Sequence, residues 1–255
     1  MGGKTIRERL SEKEILVGSF LVLPSPQLVE MLALSGFDLV LLDEEHGGFG
    51  RRDMEECLRA ADYSGIASMI RAPQISLGAF QQYLDMGAGG IQAAMVHDAD
   101  AARQASSYSH YPPLGSRGMS CNTRASAYSF YGIDQVKENA EKSTFLSLQI
   151  ESAQGLGQVD RILEIPGVDM IFVGAADLSV SLGIDIGSDE LWRTAEQLAG
   201  KIRAAGKAAG IYVWDLKRAQ ALAGMGYNLL TVTTMDGIRE GLMAQRDRLP
   251  SGRSR

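Results

Sequence analysis

The sequence predicts an α/β protein, a (β/α)8 TIM barrel formed by one domain over residues 1–255. Three observations predict it. Stretches of helical character repeatedly end at Gly, turn within a few residues and enter a short apolar run. Polar and charged residues gather just after those runs rather than before them. The length, 255 residues, is typical of a barrel of this kind, at about 250 residues.

In chain order the apolar runs are these. Residues 15–22 form the first, and Ser25 then caps a helix that starts at Pro26. Gly36-Phe37-Asp38 leads into Leu39-Val40-Leu41-Leu42, and Gly65 into 66–70. Gly87 to Gly90 lead into 91–96, 145–150 form the fifth run, and Gly167-Val168-Asp169 leads into 170–173. Gly210 opens 211–213, and Gly226-Tyr227-Asn228 leads into 229–232. Gly suits the left-handed residue that ends a helix. Short runs without polar alternation are what strands covered on both faces look like. Ser76, Ser188, Asp215 and Asp236 mark further helix starts. Strand alternating with helix implies a parallel sheet, and eight units in this length favour closure over an open sheet. The connection from His97 to Thr144 is unusually long. It carries a helix near 99–108, and its Tyr111-Pro112-Pro113 and Gly115-Ser116-Arg117-Gly118 argue for a fixed shape.

The net charge of −6, with both signs mixed, offers no basic surface for nucleic acid. Arg246, Arg248, Arg253 and Arg255 read as a solvated tail. Cys57 and Cys121 are too few for a disulfide framework and suit a reducing compartment. The polar N-terminal residues lack the apolar core of a signal peptide, and no run reaches the roughly 20 apolar residues of a membrane helix. The expectation is a cytoplasmic protein without membrane or nucleic-acid partners.

A barrel of this type carries its active site at the C-terminal ends of its strands. After the second run come Asp43, Glu44, Glu45 and His46, and after the third Arg71. The fifth runs into Gln149 and Glu151, the sixth through Gly174, Ala175 and Ala176 into Asp177. The fourth and seventh end at His97 and at Trp214-Asp215. Glu151 and Asp177 are candidate ligands for Mg2+ or Mn2+, which favour oxygen donors and keep open positions for a chelating 2-oxo acid. The plainer explanation is that Asp177 caps the next helix. Arg71 could face an enolate oxygen or a carboxylate, or form a structural ion pair with Asp43 or Glu45. His46 can move a proton near neutral pH with Asp43 orienting it, or simply pack at a turn. No Lys falls at a strand's C-terminal end, so Schiff-base chemistry is disfavoured against the metal route.

These residues resemble the HpcH/HpaI family of class II 2-oxo acid aldolases. The matching stretches run from Gly36-Phe37-Asp38 to Asp43-Glu44-Glu45-His46-Gly47, then Arg71-Ala72-Pro73 and Leu84-Asp85-Met86-Gly87-Ala88-Gly89-Gly90. Tyr111-Pro112-Pro113 with Arg117-Gly118, Gln149-Ile150-Glu151, and Gly167-Val168-Asp169 through Gly174-Ala175-Ala176-Asp177-Leu178-Ser179 complete the set. The resemblance implies a barrel of the phosphoenolpyruvate/pyruvate type and a homo-oligomer, either a dimer or a hexamer of dimers that exchange their last helix. It implies a divalent metal on Glu151 and Asp177, Mg2+ or Mn2+ with Co2+ as a further option. Arg71 would stabilise a pyruvate enolate, and His46 with Asp43 would form an acid–base dyad. Gln149 and the backbone of Gly174 and Ala175 would hold pyruvate. The implied reaction is reversible cleavage of a 4-hydroxy-2-oxo acid into pyruvate and an aldehyde. Alternatives are the same enolate chemistry on another acceptor, as in citrate synthesis or oxaloacetate decarboxylation, and a non-catalytic barrel that binds a 2-oxo acid.

The chain departs from the family pattern at Ala175, where Pro is usual, at Ala93-Ala94, where Val-Pro is usual, and at His97, where Asn is common. Trp214 replaces a smaller residue. It either shapes the acceptor pocket or packs against a neighbour.

Overall fold

The structure is a computed structural model that describes residues 4–12 and 15–250. Arg253 and Arg255 of the expected solvated tail lie outside the described residues. Eight parallel strands close in sequence order into a barrel, β1 pairing with β8. They are β1 Leu16–Leu21, β2 Leu39–Asp43, β3 Ala67–Ala72, β4 Gly90–Ala93, β5 Phe145–Ile150, β6 Met170–Val173, β7 Ala208–Tyr212 and β8 Leu229–Thr233. The helices are α1 Ile6–Glu12, α2 Pro26–Leu34, α3 Arg51–Ser64, α4 Leu77–Asp85, α5 Ala99–Ser109 and α6 Ile133–Ser143. They continue with α7 Ala153–Leu163, α8 Ala175–Leu182, α9 Asp189–Ala204, α10 Ala219–Met225 and α11 Thr234–Arg248.

The expected (β/α)8 barrel is therefore present, and Ser25, Ser76 and Ser188 cap their helices as anticipated, whereas α11 is capped by Thr233 and carries Asp236 inside its first turn. Ser25 accepts from the Leu28 amide with Pro26 at the first helical position of α2. Gly65 closes α3 in the left-handed region, at φ +71°, where any side chain would be strained. Alternation along each strand splits the core in two. Leu39 and Leu41 join Phe20, Met69, Phe145, Met170 and Phe172 in one cluster that fills the barrel. Val40 and Leu42 join Ile70, Leu148, Ile171 and the helix residues Val29, Leu58 and Ile162 in the second, between sheet and helices.

Further features depart from the sequence reading, among them β7, which runs over Ala208–Tyr212 rather than 211–213. The polar N-terminal segment holds a helix, α1, whose Ile6 is buried in the inner cluster. Arg7 fastens that helix by donating through Nε and Nη2 to Asp169, both at 2.9 Å. The fourth run, expected over 91–96, stops as a strand at Ala93 because Met95 turns into the left-handed region at φ +54°. The long connection has the fixed shape expected of it. Arg117, buried, donates to Asp85 at 2.8 Å and lies over the Tyr111 ring at 4.6 Å. Among the described residues, no helix is long and apolar enough to cross a membrane.

Candidate active site

The register of β2 on β3 sets Asp43 beside Arg71. Both side chains are buried, and they meet as a fork: Arg71 Nε donates to Asp43 Oδ1 at 2.9 Å and Nη2 to Oδ2 at 2.6 Å. Asp43 Oδ1 also accepts the backbone N–H groups of Glu45 (3.1 Å) and His46 (3.2 Å), which turns the chain outward after β2. The remaining edge of the guanidinium lies 3.1 Å from Glu45 Oε2, and its face covers the Phe20 ring at 4.7 Å. Two acids and a ring thus fix Arg71 in one orientation.

This arrangement corrects one expectation. Asp43 touches His46 through the backbone amide and not through the imidazole, because the carboxylate is already occupied by Arg71. The carboxylate neighbour of the ring is Glu45, whose Oε2 lies 4.0 Å from His46 Nε2. His46 itself reaches outward, with its side chain 64% exposed.

Glu151 follows β5 and is buried. Each of its oxygens has one donor: the Met95 amide gives to Oε1 at 2.7 Å, and Gln149 Nε2 gives to Oε2. Gln149 Oε1 in turn accepts from Gln92 Nε2 at 2.6 Å. Across from Glu151, β6 ends at Gly174, and the reason for glycine is steric. A Cβ there would stand 2.7 Å from Glu151 Cβ and 2.8 Å from Glu151 Oε2. The Gly174 amide donates to the Ile150 carbonyl at 3.0 Å, so it is spent on the barrel. The Ala175 amide opens α8, where the helix itself leaves first-turn N–H groups unpaired. Asp177, in that first turn, is exposed.

The acids feel one another. Burial raises the Glu151 carboxyl above the usual range, against the two donated hydrogen bonds, and the charges of Glu45 and Asp177 raise it further. Burial likewise raises Glu45, with Arg71 and His46 opposing and Asp43 and Asp177 adding. Glu45 Oε2 is buried with no hydrogen bond of proper geometry, its approach to Arg71 being charge contact only. The charges of Glu45 and Asp177 oppose ionisation of Glu151, and a divalent cation beside Glu151 would relieve that opposition. Among the described residues no group of three or more His, Cys, Asp or Glu is arranged to hold a metal ion. Mg2+ and Mn2+ need none, since waters and substrate oxygens fill the other positions.

Arg71, Asp43 and Glu45 thus form one contact set at the ends of β2 and β3, Gln149 and Glu151 a second at the end of β5, and Asp177 stands in the first turn of α8. Two other sequence candidates make different contacts. His97 Nδ1 pairs with Ser152 Oγ at 2.8 Å, at the start of α7. Trp214, beyond β7, stacks on Trp192 of α9 with ring centroids 4.8 Å apart, and Arg218 covers the far ring at 4.7 Å. Trp214 thus packs against a neighbour, and it also lines a cavity with Ser19, Tyr212 and Thr234. Gln92 and the Met95 amide were not singled out from sequence, whereas Glu45 was named as an acid after the second run and as an ion-pair partner open to Arg71, which it now faces.

A cation that needs charged acids gives a testable pH dependence. Glu45 and Glu151 both titrate above their ordinary range, so lowering the pH protonates them sooner than free carboxyls and opposes metal binding. With Mn2+ at about a hundred times its Kd, stability should rise by about 2.7 kcal/mol, or roughly 5–10 °C in Tm. Thermal melts should show that gain near pH 8 and a much smaller one near pH 5. The metal-free contribution of these two groups runs the other way. The folded state holds protons that the unfolded chain releases, so it declines as pH rises through the raised values.

A profile of the HpcH/HpaI aldolase/citrate lyase family matches residues 16–234. The chain belongs to that family. The 2-keto-3-deoxy-L-rhamnonate aldolase of Salmonella gallinarum is 37% identical over 228 residues, covering 89% of this chain and 85% of the relative. A solved HpcH/HpaI aldolase/citrate lyase family protein from Burkholderia cenocepacia J2315 superposes with a TM-score of 0.85 at 30% identity, over 94% of this chain and 98% of that one. The citrate synthase SbnG superposes at 0.86 with 26% identity, over 95% of this chain and 96% of its own. As a family member with aldolase relatives, the protein is a carbon–carbon lyase acting on small molecules. The HpcH/HpaI family is known for divalent-metal-dependent class II aldolases.

Proposed function

We propose that this family member reversibly cleaves a 4-hydroxy-2-oxo acid into pyruvate and an aldehyde, with Mg2+ or Mn2+ held by Glu151 and Asp177. The observation that supports the reading is a buried Glu151 held by the Met95 amide and Gln149 at the end of β5, together with an Arg71 oriented by Asp43 at the end of β3. When bound, the divalent ion supplies Lewis-acid stabilisation of the negative charge that develops on the 2-oxo group.

The chain's own residues do the rest. A proton leaves the 4-hydroxyl, the C3–C4 bond breaks, and its electron pair moves into the pyruvate enolate. Arg71 presents preorganised donors to that enolate oxygen, since Asp43 and Phe20 hold it still. His46 takes the hydroxyl proton directly or through water, with Glu45 rather than Asp43 as its carboxylate neighbour. C3 of the enolate then takes up a proton to become the pyruvate methyl. Gln149 and the Ala175 amide, not the Gly174 amide, offer the donors for the pyruvate carboxylate. The named activity of the Salmonella relative is in keeping with this, because a 2-keto-3-deoxy sugar acid with a 4-hydroxyl is a 4-hydroxy-2-oxo acid.

The same enolate chemistry on another acceptor is the second reading, favoured by the likeness to a citrate synthase. In both readings α11 belongs to a homo-oligomer: it buries no side chain on its own barrel and exposes Leu242 and Met243.

Exchange of the pyruvate methyl protons in D2O, followed by NMR, tests the shared step without an aldehyde. Wild type with Mn2+ should exchange, and His46→Ala should slow exchange by about 10²–10⁴. Unimpaired exchange in a metal-stripped sample would refute the cation role. Release of pyruvate from oxaloacetate at a rate above any aldol cleavage would favour the second reading.

A further inference from the structure

We infer that Gln92 is a positioning residue for the cation site, acting through Gln149 on Glu151. The inference rests on the reading of Glu151 as a cation ligand. Gln92 lies on β4, level in the strand register with Arg71 on β3 and Ser147 on β5. It is fully buried. Its Nε2 donates to Gln149 Oε1 at 2.6 Å, and Gln149 Nε2 passes a hydrogen bond on to Glu151 Oε2.

A side-chain amide has one end that only accepts and one that only donates. Donation from Gln92 commits the oxygen of Gln149 to the β4 side, which leaves its nitrogen facing Glu151. With the ends exchanged, a carbonyl would meet the carboxylate and push it away. On the β6 side Gly174 leaves the room this orientation needs, since a Cβ there would stand 3.2 Å from Gln149 Nε2. The amide is therefore oriented from β4, and Glu151 Oε2 keeps its donor. The Met95 amide does the same for Oε1, so the remaining lone pairs of the carboxylate are directed at the mouth.

The other end of Gln92 shows that packing alone does not account for it. Gln92 Oε1 is buried without a hydrogen-bond partner, as is the Oγ of its register neighbour Ser147. An unpaired buried carbonyl is unfavourable, and leucine, of similar size, would avoid it. A glutamine with one costly end is explained by what its other end does. Partners one step behind a metal ligand typically change metal affinity by about 10–100-fold when removed.

The test measures Mn2+ affinity, as free Mn2+ by electron paramagnetic resonance, together with Tm. The proteins are the full-length wild type, Gln92→Leu, Gln149→Leu and the double variant. Gln92→Leu should weaken Mn2+ binding roughly tenfold while Tm stays close to wild type, because one orphaned carbonyl is exchanged for another. In the Gln149→Leu background, Gln92→Leu should add nothing. Equal Mn2+ affinity in wild type and Gln92→Leu would overturn the inference, and so would additive losses in the double variant. Absence of Mn2+ binding in the wild type would overturn the cation reading and this inference with it. Gln92→Met carries the same expectation and replaces the leucine variant if that one melts early.

Discussion

Arg71→Ala should lower kcat for aldol cleavage by about 10²–10³, the range found when one preorganised donor to a developing oxyanion is removed. The substitution also strips Asp43 of its buried partner. Breaking a buried ion pair from one side costs on the order of 3–5 kcal/mol, so a melt must accompany the kinetics. Arg71→Lys separates the two effects. Lysine restores a positive charge near Asp43 and should recover most of the Tm. It cannot reproduce the planar fork that meets both Asp43 oxygens while a third edge faces Glu45. Turnover should therefore stay low in the lysine variant. Near-wild-type kcat there would show that charge alone suffices and that the orientation of Arg71 is irrelevant.

Glu151→Gln should bring metal-dependent turnover down by on the order of 10³ or more, with loss of the Mn2+-induced rise in Tm. The change is nearly isosteric, yet it does two things at once. It removes half of the anionic ligand pair. It also offers an NH2 group where two donors, the Met95 amide and Gln149 Nε2, already point. One of them must lose its acceptor. Proton exchange at the pyruvate methyl reads the loss directly. An unchanged Mn2+ shift in this variant would remove Glu151 from the cation site.

The barrel was legible because both of its signals are local. Gly at helix ends and unbroken apolar runs reflect backbone conformation and two-sided burial, which act within a few residues. The rim acids were legible for the same reason, since a strand followed by Glu151 or by Asp43-Glu44-Glu45-His46 places them without knowledge of neighbours. What escaped depends on contacts between strands. An Asp43–Arg71 pair was open from the sequence, but not that the β2–β3 register would make it a two-point contact and leave Glu45 as the carboxylate nearest the His46 ring. Gln92 escaped because one polar residue in an apolar run looks like a solvent-facing position. Here that position faces the barrel interior, where Gln149 is waiting. The helix over Ile6–Glu12 was missed because it is short and only Ile6 and Leu10 pack on the core. Trp214 stacks on Trp192, a pairing that spans α9 and β7 and that spacing does not reveal.

Met95 has a further consequence for anyone hardening this protein against heat. Its backbone sits at φ +54°, a shape glycine adopts with less strain. A scan for easy stability gains would rank Met95→Gly near the top. Yet the N–H that this shape directs is the one resting on Glu151 Oε1. A looser peptide at residue 95 would let that carboxylate wander, so robustness gained there is taken from the precision of the rim.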